Sequence, residues 1–431
     1  MAVVAVIGAQ WGGEGKGKII DELAMRADFV VRYQGGSNVG HRVVHEKGEF
    51  VFRLVPSGIL YPNATCIIGN GVVADPKGLI SEMEELQQQG VDVSRLYISE
   101  RAHVVMPYHL LLDRLEEEAR GTDNLENAQR GIGPAYVDKH ARTGIRMADL
   151  LDVDTFRAKL STVLQQKNRM ITQIYGHPPL SLEEIHSEYF AYGLQLRSYI
   201  ADTQKMLHNA LLDHKTILLE GAHGALLDID FGTYPFVASS STLAANAAVG
   251  AGLPPRSIDR VIGVYKAYTT RVGSGPMPTG LFDFWGQAMR ERGHEYRTNT
   301  GRERRCGWFD AVAGRFVSQL NGLDVAVITK LDVLDTFPTL KICTAYNLRG
   351  KTIHSLPATL SDLAACEPIY EEVKGWESST TGITLYEDLP DEAKAYLRRL
   401  EELLETRIVM VSVSPERGKT IQLQDVLVSA A

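Results

Sequence analysis

The chain has 431 residues, of which 44% are hydrophobic and 23% are charged, a composition typical of globular proteins that bury a large core. This composition excludes a disordered chain, a collagen and a fibrous repeat protein. The 53 acidic residues outnumber the 45 basic ones and leave a formal net charge of -8. No global positive field therefore favours nucleic acid or an anionic membrane surface, and any basic binding site must be local.

The N-terminal residues and the cysteines predict a cytoplasmic protein. Residues 1–8 are apolar but too short to span a bilayer, and they lack the basic start of a signal peptide. The four cysteines, Cys66, Cys306, Cys343 and Cys366, show no metal-ligand spacing, which indicates a reducing compartment. We interpret them as small buried hydrophobic residues.

Short apolar runs rich in β-branched residues predict buried parallel strands at 3–7, 29–32, 66–68, 216–219, 260–264, 325–329 and 408–412. Between them, apolar residues recur at spacings of three and four and predict helices, among them 108–120, 182–212 and 392–404. This alternation predicts an α/β fold with a large, mostly parallel central sheet flanked by helices, similar to P-loop NTPases, with helical and loop insertions. Since no linker interrupts the chain, we expect one domain over residues 1–431.

The first predicted strand runs into a loop rich in glycine and lysine, which predicts a nucleotide phosphate site. Glycines let backbone N–H groups converge on phosphate oxygens, and the helix that follows adds its dipole. The loop differs from a standard Walker A sequence, because Gly17 stands where a Mg²⁺-binding Ser or Thr is expected. A plain tight turn is the alternative. The loop contains Gly12, Gly13, Glu14, Gly15, Lys16, Gly17 and Lys18.

A second glycine-rich segment, residues 33–42, places His41 among glycines. A histidine near a transferred phosphate can donate a hydrogen bond to an oxygen that gains negative charge. The alternative is a histidine that caps a turn.

Residues 297–305 concentrate four arginines and several hydroxyl or amide donors. Planar guanidinium groups suit a dicarboxylate or a phosphate, whereas without a partner this basic loop would be a solvated segment.

A predicted strand end carries the tetrad Thr329-Lys330-Leu331-Asp332. A carboxylate there can accept hydrogen bonds from both N1–H and the 2-amino group of guanine, while a lysine stem covers the ring. Adenine lacks this donor pair. Together with the phosphate loop, the tetrad favours GTP over the alternative of a surface salt bridge.

At this point the chain resembles the adenylosuccinate synthetase family, from Val3 to beyond Arg417. The resemblance rests on long, ordered matches, which are QWGGEGKGK (10–18), VRYQGGSNVGH (31–41), PSGIL (56–60), IGNGVV (68–73), RGIGPAYVDK (130–139), LLDIDFGTYP (226–235), KAYTTRVGSG (266–275), TKLDVL (329–334) and 367–376. Such resemblance concerns ancestry and fold, and function must still be argued from sites.

The resemblance implies a ligase that transfers the γ-phosphate of GTP to O6 of IMP and then lets the amine of L-aspartate displace it. It also implies Mg²⁺ and a homodimer in which the two subunits share each site. Purine biosynthesis would be its setting.

The resemblance also implies site residues. Catalysis would involve His41, Lys16 and Glu14, and the Gly40 carbonyl would contact the metal. GTP would contact Gly12, Gly13, Glu14, Gly15, Lys16, Gly17, Lys18, Gly40, His41, Arg42, Arg304, Lys330, Leu331, Asp332, Ser412, Val413 and Ser414. The acceptor would contact Gly13, Asn38, Ala128, His223, Ala238, Arg302 and, from the neighbouring subunit, Arg142. Aspartate would contact Asn299, Thr300, Arg302 and Arg304.

This sequence departs from the family pattern mainly at the acceptor site. Gly13 replaces the aspartate that takes the N1 proton of IMP and helps hold Mg²⁺. Two threonines that contact the acceptor phosphate correspond to Ala128 and Ala238, and a glutamine near the purine corresponds to His223. Further changes are Arg42, Glu303 and Ser414.

The departures leave alternatives open. Glu14 could replace the missing base, and Arg42 could replace lost phosphate binding. Gly13 could instead make room for the 2-amino group of a guanylate or deoxyguanylate, which would give a 2-aminoadenylosuccinate. The acceptor could also lack a phosphate or belong to specialised metabolism. Finally, the protein could be an inactive GTP-binding paralogue, although the basic loop argues against this.

Overall fold

The structure is a computed structural model that describes residues 2–45, 48–121, 128–296, 301 and 303–427. Within these residues, every strand of the main sheet was predicted except the short edge strands and β7. The strands are β1 (Val3–Gly8), β2 (Phe29–Arg32), β3 (His41–His45), β4 (Gly48–Phe52), β5 (Thr65–Ile68), β6 (Val73–Ala74), β7 (Leu96–Ser99), β8 (His103–Val104), β9 (Ile200–Ala201), β10 (Ile217–Gly224), β11 (Arg260–Lys266), β12 (Thr269–Arg271), β13 (Gly280–Leu281), β14 (Arg305–Gly307), β15 (Phe309–Asp310), β16 (Val325–Thr329), β17 (Thr339–Leu348), β18 (Lys351–Ile353), β19 (Cys366–Lys374), β20 (Ile408–Ser412) and β21 (Thr420–Gln422).

The helices lie between these strands. They are α1 (Lys16–Ala24), α2 (Pro76–Gln88), α3 (Pro107–Arg120), α4 (Ile132–Ala141), α5 (Val153–Gln173), α6 (Leu182–Leu196), α7 (Thr203–Leu212), α8 (Ala245–Ala251), α9 (Phe284–Arg292), α10 (Ala311–Asn321), α11 (Leu360–Ala364) and α12 (Asp391–Leu404). No helix in the described residues is long and apolar enough to cross a membrane.

The prediction of a single helix over residues 182–212 was wrong. The helix breaks between α6 and α7, where β9 pairs with β7 at the edge of the main sheet. Asp202 then starts α7, because its carboxylate accepts a hydrogen bond from the backbone N–H of Lys205 at 3.3 Å. Apolar spacing continues across the break, so periodicity could not reveal it.

The main sheet has the strand order β21-β20-β16-β11-β1-β10-β2-β5-β7-β9. All neighbours in it run parallel except β20 and β21, which confirms the predicted fold class. The central strand β1 is buried on both faces, with Val4 and Val6 in one core cluster and Val3 and Ala5 in another. Strands covered on both sides read as continuous apolar runs, which is why the sequence revealed them.

Smaller sheets flank this platform. One has the order β12-β14-β13, and another is built on β17, which pairs with β15, β18 and β19. The four cysteines are buried free thiols, as predicted.

Candidate active site

The carboxyl ends of the parallel strands surround a cavity of about 1780 Å³. The loops that follow β1, β2, β10, β16 and β20 all line it. Most of the predicted site residues meet there, namely Gly12, Gly13, Glu14, Gly15, Lys16, Gly17, Lys18, Asn38, Gly40, His41, Arg42, Ala128, His223, Ala238, Arg304, Lys330, Asp332, Ser412 and Ser414.

Some predicted residues lie elsewhere. Leu331 and Val413 are fully buried in the apolar core, so their side chains cannot contact GTP. Arg142 is exposed at the end of α4 and does not line this cavity. Asn299, Thr300 and Arg302, predicted to bind aspartate, lie outside the described residues.

The phosphate loop is shaped by glycines in the left-handed region. Gly12, Gly13 and Gly15 have φ values of +85°, +74° and +77°, which side chains rarely adopt. Gly15 immediately precedes α1, which begins at Lys16. Successive N–H groups in this conformation, placed at a helix N-terminus, form a concave anion site.

Glu14 stabilises the conformation of this loop through hydrogen bonds. Its buried carboxylate accepts hydrogen bonds from the backbone N–H groups of Gly12 at 2.8 Å and Gln10 at 3.2 Å, and it pairs with Lys16 Nζ at 2.9 Å. Burial raises the pKa of Glu14, but the Lys16 charge and these hydrogen bonds outweigh burial and leave the pKa below its usual value. Because its pKa is lowered and its oxygens are already engaged by Lys16 and by backbone N–H groups, this carboxylate is a poor candidate for the missing base.

Close packing against β3 explains why position 17 is a glycine. A Cβ at this position would lie 3.2 Å from both the Arg42 carbonyl oxygen and His41 Cβ, because β3 crosses close to the start of α1. A Ser or Thr at position 17 would therefore need Arg42 and His41 to shift by a few tenths of an ångström.

Lys18 contacts the segment after β20 rather than the phosphate loop. Its ammonium donates to Ser412 Oγ and the Ser414 carbonyl at 2.8 Å, and to the Lys419 carbonyl at 3.0 Å. Lys18 thus fixes the predicted base pocket to the first helix. Burial lowers the pKa of Lys18 to about 8.

This pKa predicts how GTP binding depends on pH. Loss of the Lys18 proton removes the charge that attaches Ser412 and Ser414 to the first helix, so the affinity of the predicted base pocket for GTP should fall as the pH rises through about 8. Titration calorimetry from pH 7 to 9 measures this decline. Lys18→Arg, which stays charged, should have a flatter profile, and equal slopes for both proteins would contradict the prediction.

The tetrad after β16 connects to the phosphate loop through Thr329, whose hydroxyl donates to the Glu14 carbonyl at 2.6 Å. Lys330 adopts φ +58°, and its ammonium donates to the Gly293 carbonyl at 2.6 Å. Asp332 Oδ1 is buried and has no hydrogen-bond partner in the described part of the chain. Burial raises the pKa of Asp332. A carboxylate lining a cavity with a free acceptor atom is suited to a ligand that donates, such as a guanine edge.

His41 is held by a residue that sequence reasoning missed. Its Nδ1 lies 2.5 Å from Oε1 of the buried Glu220, which also accepts hydrogen bonds from the N–H and hydroxyl of Ser57. Burial raises the pKa of Glu220, but the bond to His41 and the nearby Arg32 charge keep it below its usual value. An ionised Glu220 can only accept, so Nδ1 carries the proton.

The other ring nitrogen of His41, Nε2, is buried and has no hydrogen-bond partner among the described residues. Burial lowers the pKa of His41, and Glu220 opposes this only in part. The ring is therefore neutral, and Nε2 presents a lone pair.

The space beside Gly13 is occupied by Arg304. A Cβ on Gly13 would lie 2.3 Å from Arg304 Nη1 and 3.0 Å from its Cζ. This guanidinium pairs with Glu295 Oε2 at 3.0 Å. The guanidinium of Arg304 therefore lies in the space that the missing side chain at Gly13 leaves.

Two other arginines of this region have partners of their own. Arg42 pairs with Glu49 across the β3–β4 hairpin, with both side chains about half exposed, rather than with the phosphate loop. Arg305 donates to the carbonyls of Gly273 and Gly275. Arg304 is thus the described arginine of the basic loop that lines the cavity.

The structure also brings buried charges to the site that no motif predicted. Glu220 lies within the buried strand β10, and Glu295 stands alone before the basic loop, so only their burial reveals them. The described residues contain no group of three His, Cys, Asp or Glu side chains able to hold a metal ion.

Comparisons with known proteins agree with this architecture. The family model described as adenylosuccinate synthetase matches residues 5–421. An adenylosuccinate synthetase of Dehalococcoides mccartyi is 52% identical over 421 residues, covering 98% of this chain and 100% of the relative. One from Heliobacterium modesticaldum is 53% identical over 423 residues, covering 98% and 99%.

Solved structures extend the comparison. A fully ligated adenylosuccinate synthetase from Plasmodium falciparum matches with a TM-score of 0.92 at 36% identity, covering 98% of this chain and 100% of that one. A cyanophage S-2L succinoaminodeoxyadenylate synthetase, bound to dGMP and dATP, matches with a TM-score of 0.62 at 19% identity, covering 98% and 96%. The second likeness shows the fold alone. The family match, the identities and the first structure together show that this chain belongs to the adenylosuccinate synthetase family of GTP-dependent ligases.

Proposed function

We propose that this enzyme joins L-aspartate to the 6-oxo carbon of IMP, with cleavage of GTP to GDP and phosphate, through a 6-phosphoryl intermediate. The observation that carries the proposal is that the phosphate loop, Asp332, His41 and Arg304 line one cavity. This reaction needs a site that binds a triphosphate, a residue that recognises guanine and a guanidinium that binds a carboxylate.

In the first step, O6 of the acceptor attacks the γ-phosphorus of GTP, GDP leaves and the N1 proton is lost. Gly13 supplies no carboxylate, and the Glu14 carboxylate is occupied by its loop. We assign the proton to Nε2 of His41, which has no hydrogen-bond partner among the described residues, while Glu220 balances the charge that forms. The resulting imidazolium then donates to the transferred phosphoryl oxygens, which adds to the stabilisation by Lys16.

In the second step, the aspartate amine attacks C6 and phosphate leaves. We assign recognition of the aspartate carboxylates to Arg304, together with Asn299, Thr300 and Arg302, and the acceptor's phosphate to Asn38. Support comes from Arg304, which lies against the phosphate loop at Gly13 and would bring a carboxylate close to the transferred phosphoryl group.

Mg²⁺ fits this site as an ion bound mainly by the phosphates of the nucleotide, with few ligands from the protein. Gly40 lines the cavity beside the phosphate loop, and Mg²⁺ accepts carbonyl and phosphate oxygens as ligands. The Gly40 carbonyl would hold the ion together with phosphate oxygens. The ion would neutralise charge on the transferred phosphoryl group.

IMP is preferred to a guanylate because of Arg304. Its guanidinium, beside Gly13, can only donate hydrogen bonds, and the 2-amino group of guanine is also a donor. Two donors facing each other leave both unsatisfied, which disfavours a guanylate acceptor.

We further propose a cytoplasmic homodimer in which Arg142 binds the acceptor of the neighbouring subunit. Its exposed position at the end of α4, away from the cavity of its own chain, supports this assignment. The buried free thiols suit a reducing compartment.

The proposal is tested by measuring GDP release with GTP, Mg²⁺ and L-aspartate while the acceptor is varied. IMP should stimulate GDP formation and give a succinylated product detectable by mass spectrometry, whereas GMP and dGMP should give little. Faster turnover with a guanylate would overturn the choice of acceptor. If no 6-oxopurine nucleotide stimulates GDP release, the ligase proposal fails in favour of a specialised acceptor or an inactive paralogue.

A further inference from the structure

A fully buried carboxylate, Glu295, collects four hydrogen bonds beside the cavity. Its Oε1 accepts from Lys266 Nζ and Lys330 Nζ, both at 2.7 Å, and from the Tyr268 hydroxyl at 2.6 Å. Its Oε2 accepts from Arg304 Nη1 at 3.0 Å. Three cations therefore share one anion, and two of them, Lys330 and Arg304, line the cavity.

Glu295 also stands at the base of the basic loop. The N–H of Arg304 donates to the Glu295 carbonyl at 2.9 Å, and Tyr296 pairs with Glu303 through an isolated β-bridge. We call these paired residues, 295–296 and 303–304, the stem. The segment of residues 293–296, which enters the loop, is attached to Lys330 twice, through the Gly293 carbonyl and through the Glu295 carboxylate. A lysine of the guanine tetrad thus holds the stem of the loop that carries the predicted aspartate contacts.

The electrostatics of this cluster depend on the Glu295 charge. Burial raises the pKa of Glu295, but the charges of Lys266, Lys330 and Arg304 outweigh burial and keep it well below its usual value. Lys266 is fully buried at the end of β11, and burial lowers its pKa to about 7. Without the carboxylate, Lys330 and Arg304 would lose their common anchor, and burial would lower the pKa of Lys266 further, because Glu295 is the group that raises it.

We propose that Glu295 is a positioning residue that couples the two substrate sites, so that GTP held by Lys330 and aspartate held by Arg304 each raise the affinity for the other. Both ligands need the same arrangement of the stem, and whichever binds first restricts Lys330 or Arg304 before the second arrives. Such coupling is reciprocal by thermodynamic necessity. The inference rests on the proposed use of GTP and aspartate.

The test is titration calorimetry of GTP with Mg²⁺, with and without saturating L-aspartate, in the absence of an acceptor so that no turnover occurs. In the wild-type enzyme aspartate should tighten GTP binding by about tenfold, a usual size for coupling between sites. In Glu295→Gln, which keeps the shape but removes the charge, this ratio should fall to about one.

Glu303→Gln is the matched control. Glu303 lies on the same stem, but its side chain is mostly exposed and pairs with Arg290. This variant should retain the full coupling ratio. Equal loss of coupling in both variants would mean that any change in the stem has this effect, and would overturn the role of Glu295.

A second variant separates coupling from folding. Glu295→Gln leaves Lys266 buried without a counter-ion, which can lower the melting temperature by itself. Lys266→Met with Glu295→Gln removes both buried charges, so the melting temperature should recover while the coupling ratio stays near one. Recovery of coupling in the double variant would overturn the inference. The loss of coupling in Glu295→Gln would then come from Lys266, buried without a counter-ion, and not from the missing Glu295 charge.

The outcomes separate this inference from the proposed function. If the wild-type enzyme binds no GTP, the proposed function fails and the coupling fails with it. If the wild-type enzyme binds GTP equally well with and without aspartate, or if Glu295→Gln keeps the full ratio, only the coupling role is overturned.

Discussion

Asp332→Asn should lower kcat/KM for GTP by about 10²- to 10³-fold and create use of XTP, as measured by GDP or XDP release. In the proposed complex the carboxylate accepts hydrogen bonds from N1–H and the 2-amino group of guanine, and hydrogen bonds to a charged group are worth about 1.5–3 kcal/mol each. The asparagine amide would instead direct a donor at the 2-amino group. The 2-oxo group of xanthine accepts from that donor, so the preference should reverse.

The control for this prediction is ATP, whose use should be negligible in both proteins. The substitution breaks no hydrogen bond of Asp332 Oδ1, because this atom has no partner among the described residues. A change in activity would therefore reflect the contact with the base. Equal loss with GTP and XTP would mean that Asp332 supports the fold of the loop and does not read the base.

His41→Gln should lower kcat by about 10²- to 10⁴-fold, the usual size of a lost acid–base group, with little change in GTP binding. The proposed proton acceptor is Nε2, and glutamine offers no group that titrates there. Rapid-quench measurement of a single turnover checks the chemical step, and calorimetry checks GTP affinity. A comparable loss of both would contradict a role specific to the chemistry.

Glu220→Gln tests the same proposal through the pH profile. The Glu220 carboxylate raises the pKa of His41, against the lowering by burial, so its neutralisation should lower that pKa. Activity needs the unprotonated imidazole, and the acid limb of kcat should therefore move to lower pH. A profile that falls in height without moving would indicate that Glu220 has only a structural role.

The phosphate loop and the guanine tetrad could be predicted from local sequence, because each is a short run whose chemistry is carried by its own residues. Gly12, Gly15 and Asp332 lie where the spacing put them. Leu331 and Val413, which the resemblance implied as GTP contacts, have their side chains in the apolar core.

The helix break at residues 197–202 and the partners of Lys18 were not predictable in the same way. A short edge strand forms only because β7 is there to pair with it. Lys18 lies within the phosphate loop sequence, yet its donors reach Ser412 and Ser414, almost 400 residues later. Local pattern contains no information about contacts at that distance.

The sequence by itself determined the fold class, the family and the presence of a phosphate loop, because buried parallel strands and glycine-rich turns leave a signature in neighbouring residues. Only the tertiary structure decided that the Glu14 carboxylate is hydrogen-bonded within its own loop and that Arg304 fills the space at Gly13. It also decided that Glu220 holds His41 and that Glu295 holds Arg304. Those features depend on charges that meet across distant segments in a low-dielectric interior, where burial and pairing set which groups are free to react.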